Sequence, residues 1–151
     1  MSDSPNIPAP EQPGDVLTAP DWTSDVQVDD HGRMTAAISN AMVGLKKGFY
    51  GKGPTKAKTF LNDQYVFCVM EGGLTRNEET LLEAGQDDLV RNYRLRFQET
   101  MTKATTEAIE ELTGQNVIGY HSQIVFNPDR AFEIFVLDAS PSRDGGPPGD
   151  R

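Results

Sequence analysis

The run Tyr65-Val66-Phe67-Cys68-Val69-Met70 constrains the fold more than any other stretch of this chain. A strand with one face in water alternates apolar and polar residues, and this one does not. It predicts a strand covered on both faces, or one whose second face meets another subunit. Ala57–Asn62 precedes it, and Asn62-Asp63-Gln64 supplies the turn of a hairpin. A second hairpin is expected from Val117–Phe126 and Arg130–Asp138 around Asn127-Pro128-Asp129.

Helical periodicity fills the spaces between these strands. Met34, Ala37, Ile38, Ala41, Met42 and Leu45 form one amphipathic stripe, ending near Lys46–Gly48. Thr75 and Glu78 make a capping box that opens a short helix through about Ala84, and Gly85 ends it. Asp87 is placed to cap a long helix. Its Leu89, Tyr93, Phe97, Met101, Ala104, Ala108 and Leu112 share a face until Gly114 stops it. The order α-β-β-α-α-β-β predicts an α+β domain over residues 31–139, with two principal helices packed on one face of a four-stranded, mostly antiparallel sheet. Its core is small for independent stability, so a homodimer is expected.

Charge is unevenly placed. Seven of the 23 acidic residues and none of the 14 basic ones fall in residues 1–30, so the formal charge of −9 belongs mainly to that proline-rich tail. Residues 1–30 and 140–151 lack the apolar content to offset their ordering entropy, and both are expected to stay disordered. Trp22 is the one large aromatic in the first tail, and loose packing on its own domain is its plainer role. The nearly balanced middle argues against a globally basic nucleic-acid binder. The N-terminus has no secretory pattern, and no apolar run approaches the roughly 18–20 residues that span a bilayer. A cytoplasmic protein, at most peripheral at a membrane, is expected.

The segment from Lys46 to Lys58 draws attention because it holds five lysines (Lys46, Lys47, Lys52, Lys56, Lys58), with Phe49, Tyr50, Gly51, Gly53 and Pro54 among them. Glycines let backbone N–H groups approach an anion and lysines hold its charge, so a phosphate, an anionic lipid surface or RNA would suit this loop. It lacks the spacing of a P-loop. The plainer reading makes Lys46 and Lys47 favourable charges at a helix C-terminus and the glycines turn-formers. Arg91, Arg94, Arg96 and Lys103 offer a second basic surface, although an Asp87–Arg91 ion pair explains part of it. No catalytic group, metal site or cofactor is expected. His121 reads as structural or exposed, Cys68 as an inert buried thiol, and Asp87-Asp88 and Glu110-Glu111 as a cap and a solvated helix face.

Four segments together resemble the MpsC-like family: Phe49-Tyr50-Gly51-Lys52-Gly53-Pro54 after a helix, Thr59-Phe60-Leu61-Asn62-Asp63, Gly73-Leu74-Thr75 leading to Glu78, and Leu112-Thr113-Gly114 before the Val117–His121 strand. The resemblance covers about residues 33–138. It implies a small bacterial or archaeal component of a sodium-translocating, membrane-potential-generating system, whose relatives are linked to inorganic-carbon supply. It thus implies a non-enzymatic accessory role beside a membrane cation or bicarbonate transport subunit. The acidic tails stand outside the family pattern. A domain using the lysine loop on nucleic-acid phosphates, with Phe49 or Tyr50 stacking on bases, is the alternative.

Overall fold

The computed structural model describes residues 26–141, so Trp22 and most of both tails lie outside the described residues. Seven elements follow in the expected order: α1 (Val26–Tyr50), β1 (Lys56–Asn62), β2 (Tyr65–Glu71), α2 (Arg76–Glu83), α3 (Asp87–Thr113), β3 (Val117–Val125) and β4 (Arg130–Leu137). The chain divides into Met1–Arg33 and Met34–Arg151, and the second unit carries the sheet and core. Helix α1 begins at Val26, inside the segment expected as tail, and continues to Tyr50, past the expected stop. Lys47 in its last turn complements the helix C-terminus and Gly51 ends it, with φ +83° and its N–H on Lys47 O at 2.9 Å.

All strand pairs are antiparallel, in the order β1-β2-β4-β3. Both hairpins turn through a non-glycine residue of positive φ, Asp63 in one and Asn127 in the other. These are the residue types that tolerate that conformation. Side chains of one parity point to the helices. Ile38 and Met42 of α1 and Ile109 of α3 pack there against Val66, Cys68, Met70, Phe135 and Leu137. Each fully buried side chain of this kind contributes about 1.5–3 kcal/mol. The opposite sheet face bears no helix among the described residues.

Two features of α3 differ from expectation. Gln86, not Asp87, occupies the N-cap position and makes no side-chain cap bond, while Arg91 pairs with Asp88 at 3.4 Å. The helix also buries a neighbouring stripe: Val90, Arg94, Gln98, Met101, Thr105, Ile109 and Thr113. Leu89 and Tyr93 are left about half exposed, at 52% and 51%. Polar residues can occupy the inner stripe because partners for Arg94 and Gln98 wait on the elements beneath.

Candidate functional site

Glu133 sits mid-strand in β4 with the same parity as Phe135 and Leu137, so its carboxylate enters the core with 0% exposure. A lone buried carboxylate would be prohibitively costly, and this one is enclosed by donors. Lys46 Nζ lies 3.2 Å and Gln98 Nε2 2.8 Å from its Oε2, Ser122 Oγ lies 3.2 Å from the same oxygen, and the Tyr120 hydroxyl donates to Oε1. Gln98 also accepts from Lys46 at 3.4 Å, joining α1, α3, β3 and β4 in one network. Burial, then the neighbouring carboxylate, pushes the Tyr120 phenol well above its ordinary value.

A second charge pair adjoins the first. Arg94 Nε and Nη2 donate to the two oxygens of Glu78 at 2.7 and 2.5 Å, a bidentate geometry. Nη2 also donates to Gly73 O at 2.8 Å. Glu78 is held in turn by the Thr75 backbone N–H at 2.9 Å, completing the capping box of α2. Burial alone would raise the Glu78 carboxyl, but Arg94 and Thr75 outweigh it and hold it below the usual range. Burial likewise opposes the Arg94 charge, and Glu78 more than restores it. The Tyr50 ring lies 4.1 Å from Arg94 Cζ and 4.3 Å from the Phe97 ring centre. Its hydroxyl is buried without a hydrogen-bond partner among the described residues, and burial pushes its phenol up to about 12. Each of the two pairs, Lys46–Glu133 and Arg94–Glu78, is neutral in itself inside the domain.

The lysine segment is therefore divided by the fold. Lys46 turns inward, 2% exposed, and its ammonium belongs to Glu133. Arg94 leaves the expected basic surface of α3 for the same reason. Lys47, Lys52, Lys56 and Lys58 remain exposed. Lys58 Nζ rests 5.5 Å from the Phe60 ring, and Lys56 and Lys58 occupy an edge strand, where charge discourages edge-to-edge pairing. Gly53 is favoured by packing: a Cβ there would crowd Lys47 Cβ at 3.1 Å and Val43 O at 3.3 Å, which would have to give by a few tenths of an ångström. Pro54 follows it and lies against Gly73. Tyr50 is packed between Arg94 and Phe97, so it does not offer a free ring to a base, while Phe49 is 39% exposed.

Sequence reasoning overlooked Glu133 and its partners. One signal was present: a carboxylate inside Ala131-Phe132-Glu133-Ile134-Phe135-Val136-Leu137, in register with the core positions. His121 is exposed, and burial raises the Cys68 thiol. Among the described residues no group of three His, Cys, Asp or Glu side chains is placed to hold a metal, and no helix is long and apolar enough to cross a membrane.

An antiparallel sheet with helices on one face and two neutral ion pairs sealed between them defines a small α+β domain whose buried charges, Lys46, Glu78, Arg94 and Glu133, are paired internally. The chain belongs to the MpsC family, described as the Na+-translocating membrane potential-generating system, which it matches over residues 30–139. It is 27% identical over 96 residues to the uncharacterized protein YrhF of Bacillus subtilis (strain 168), an alignment covering 62% of this chain and 79% of YrhF. No solved structure matches it.

Proposed function

We propose that this protein is a non-catalytic accessory subunit that docks, from the cytoplasmic side, on a membrane cation or bicarbonate transport complex. The family match over residues 30–139 carries this reading. The internal pairing of Lys46, Glu78, Arg94 and Glu133 supports it, because these four groups are spent on holding the fold. The exposed Lys47, Lys52, Lys56 and Lys58 are the residues offered to the anionic headgroups or to an acidic loop of the transporter. Each lysine near an anionic surface contributes about 1 kcal/mol, so four supply a useful but salt-sensitive attachment.

The test is recovery of the protein with native membranes at low salt, comparing the natural chain with a variant carrying Lys47→Glu, Lys52→Glu, Lys56→Glu and Lys58→Glu. Co-purification of a multi-span transport subunit, lost in the variant, is the expected result. A protein that stays in the soluble fraction at every salt concentration would remove this reading. Recovery of RNA or DNA without a membrane partner would replace it with nucleic-acid binding.

A further inference from the structure

The sheet face turned away from the helices carries a compact apolar surface. Strand register sets its side chains in rows: Lys58, Val69, Phe132 and Gln123 in one, then Phe60, Phe67, Ile134 and His121, with Asn62, Tyr65, Val136 and Gly119 beyond. Phe60 and Phe67 stand 6.1 Å apart and Phe67 and Phe132 6.0 Å, the latter pair stacked at 12°. Phe60 and Tyr65 are about half exposed, at 49% and 50%. The continuous apolar runs of β2 and β4 are those of strands covered on both sides, yet α1 and α3 cover only one.

We infer that a second copy of this chain covers this face, forming a two-fold dimer in which the two sheets pack against each other with the helices outside. Charge placement favours this occupant. The charged groups of the face stand at its margins: Lys56 and Lys58 on edge strand β1, and the Glu71–Arg130 pair (3.4 Å) at one end. A two-fold axis along the strands lays Lys58 over Gln123 and Phe60 over His121 of the other copy. An axis across the strands lays Lys56 over Asn62, Lys58 over Phe60 and Glu71 over Tyr65. Neither arrangement opposes like charges, and both bring the apolar centre onto itself, as an isologous interface requires. Size agrees as well. Four strands of about seven residues give a footprint of roughly 440 Å² at ordinary strand spacings. Side chains standing off the sheet add to that area, bringing it toward the roughly 800 Å² per partner of a standard interface. Aligned sheet packing of this kind is a common solution for two such faces. The dimer does not depend on the membrane reading and is measured without membranes.

Sedimentation equilibrium of the purified full-length chain across the micromolar range tests it, with the single variants Phe67→Lys, Phe132→Lys and Tyr93→Lys alongside. The natural chain and Tyr93→Lys, altered on the separate exposed patch of α3, are expected to be dimers. Phe67→Lys and Phe132→Lys are expected to weaken the dimer about a hundredfold or more while keeping the far-ultraviolet circular dichroism of the natural chain. Phe60→Lys, at the exposed margin of the face, gives the same reading if either of those fails to fold. A monomeric natural chain overturns the inference, including one that binds a different protein on this face. So does a dimer abolished by Tyr93→Lys and indifferent to the sheet-face variants.

Discussion

Replacing Glu133 by glutamine would remove one negative charge from a fully enclosed position while leaving the side chain's shape nearly unchanged. Its consequence follows from what surrounds the carboxylate. Lys46 is 3.2 Å away with its side chain 3% exposed, so the ammonium loses its close counter-charge and cannot recover it from water. Breaking such a buried pair on one side costs about 3–5 kcal/mol. Against a whole-domain stability of about 5–15 kcal/mol, that leaves a marginal fold. Lys46→Met makes the complementary error, stranding the carboxylate, although Gln98, Tyr120 and Ser122 still donate to it. The double variant Lys46→Met/Glu133→Gln has no buried charge to strand. Its new amide oxygen can still accept from Gln98 and Ser122 while its NH2 group donates to the Tyr120 hydroxyl, so its loss is expected to be about 2–3 kcal/mol smaller than the sum of the single losses. Urea unfolding followed by circular dichroism gives all three values. If the losses add to within about 0.5 kcal/mol, Lys46 and Glu133 are energetically independent, and the account of a coupled internal pair is wrong.

Tyr50→Phe deletes a buried hydroxyl that has no partner among the described residues, so it is expected to be neutral or stabilising by up to about 1 kcal/mol; a clear destabilisation in the same urea assay would show that the hydroxyl is satisfied. Burial raises the Tyr50 phenol from 10.0 to about 12, so its neutral form favours folding; the stability it contributes is whole below pH 10 and is lost as pH climbs toward about 12, with Tyr120 acting in the same direction. Glu78 acts at the other end: burial opposes its charge, but Arg94 and Thr75 hold it below 4.5, so its contribution is present above that pH and disappears on acidification through the lowered value. Melting temperature measured against pH checks both limbs, and a Tyr50→Phe chain should lose less stability on the alkaline side. Gly72→Ala puts a Cβ 2.4 Å from Thr55 Oγ1 on a residue with φ +75°, and is expected to cost about 1–3 kcal/mol, measured as a lower urea midpoint.

Much of the fold was legible because local signals agreed with one another. The apolar runs, the Asn62-Asp63-Gln64 and Asn127-Pro128-Asp129 turns, the Thr75–Glu78 capping box and the Gly114 stop each named an element that is present. What failed was the choice of face on α3. Periodicity favours the apolar stripe through Leu89 and Tyr93, since it weighs hydrophobicity alone and cannot see that Glu78 and Glu133 lie opposite Arg94 and Gln98. The same blindness put Lys46 with its exposed neighbours. A lysine at the end of a helix looks solvated until the strand that faces it is known to carry a carboxylate. The role of Gly51 was nearer the surface of the sequence, since glycine beside a helix end is a familiar stop, but the close approach of Gly53 to Val43 and Lys47 needed three dimensions.

Two of the four segments that carry the family resemblance meet around Arg94. Tyr50 lies under its guanidinium, Gly73 O and Glu78 accept from it, and Asp129 receives the Gly73 and Leu74 N–H groups at 3.1 and 3.3 Å. Thr55 N donates to Glu71 O at 2.8 Å, tying the glycine–lysine loop to the end of β2 just before that junction. The Tyr50–Pro54 and Gly73–Glu78 motifs are thus two sides of one structural joint between the sheet end and the helices. Their residue types are explained by packing, caps and a bidentate ion pair without any ligand. A motif of that kind identifies the fold while leaving its chemistry unstated, so function has to be sought where the joint leaves side chains unspent. Two such places remain on β1 and its neighbours: the exposed lysines at the edge, and the aromatic face that a second subunit would cover. Because Lys56 and Lys58 stand at the rim of that face, a dimer axis across the strands would set β1 of one copy over β1 of the other and present their lysines as a paired array, whereas an axis along the strands would place the two sets on opposite edges.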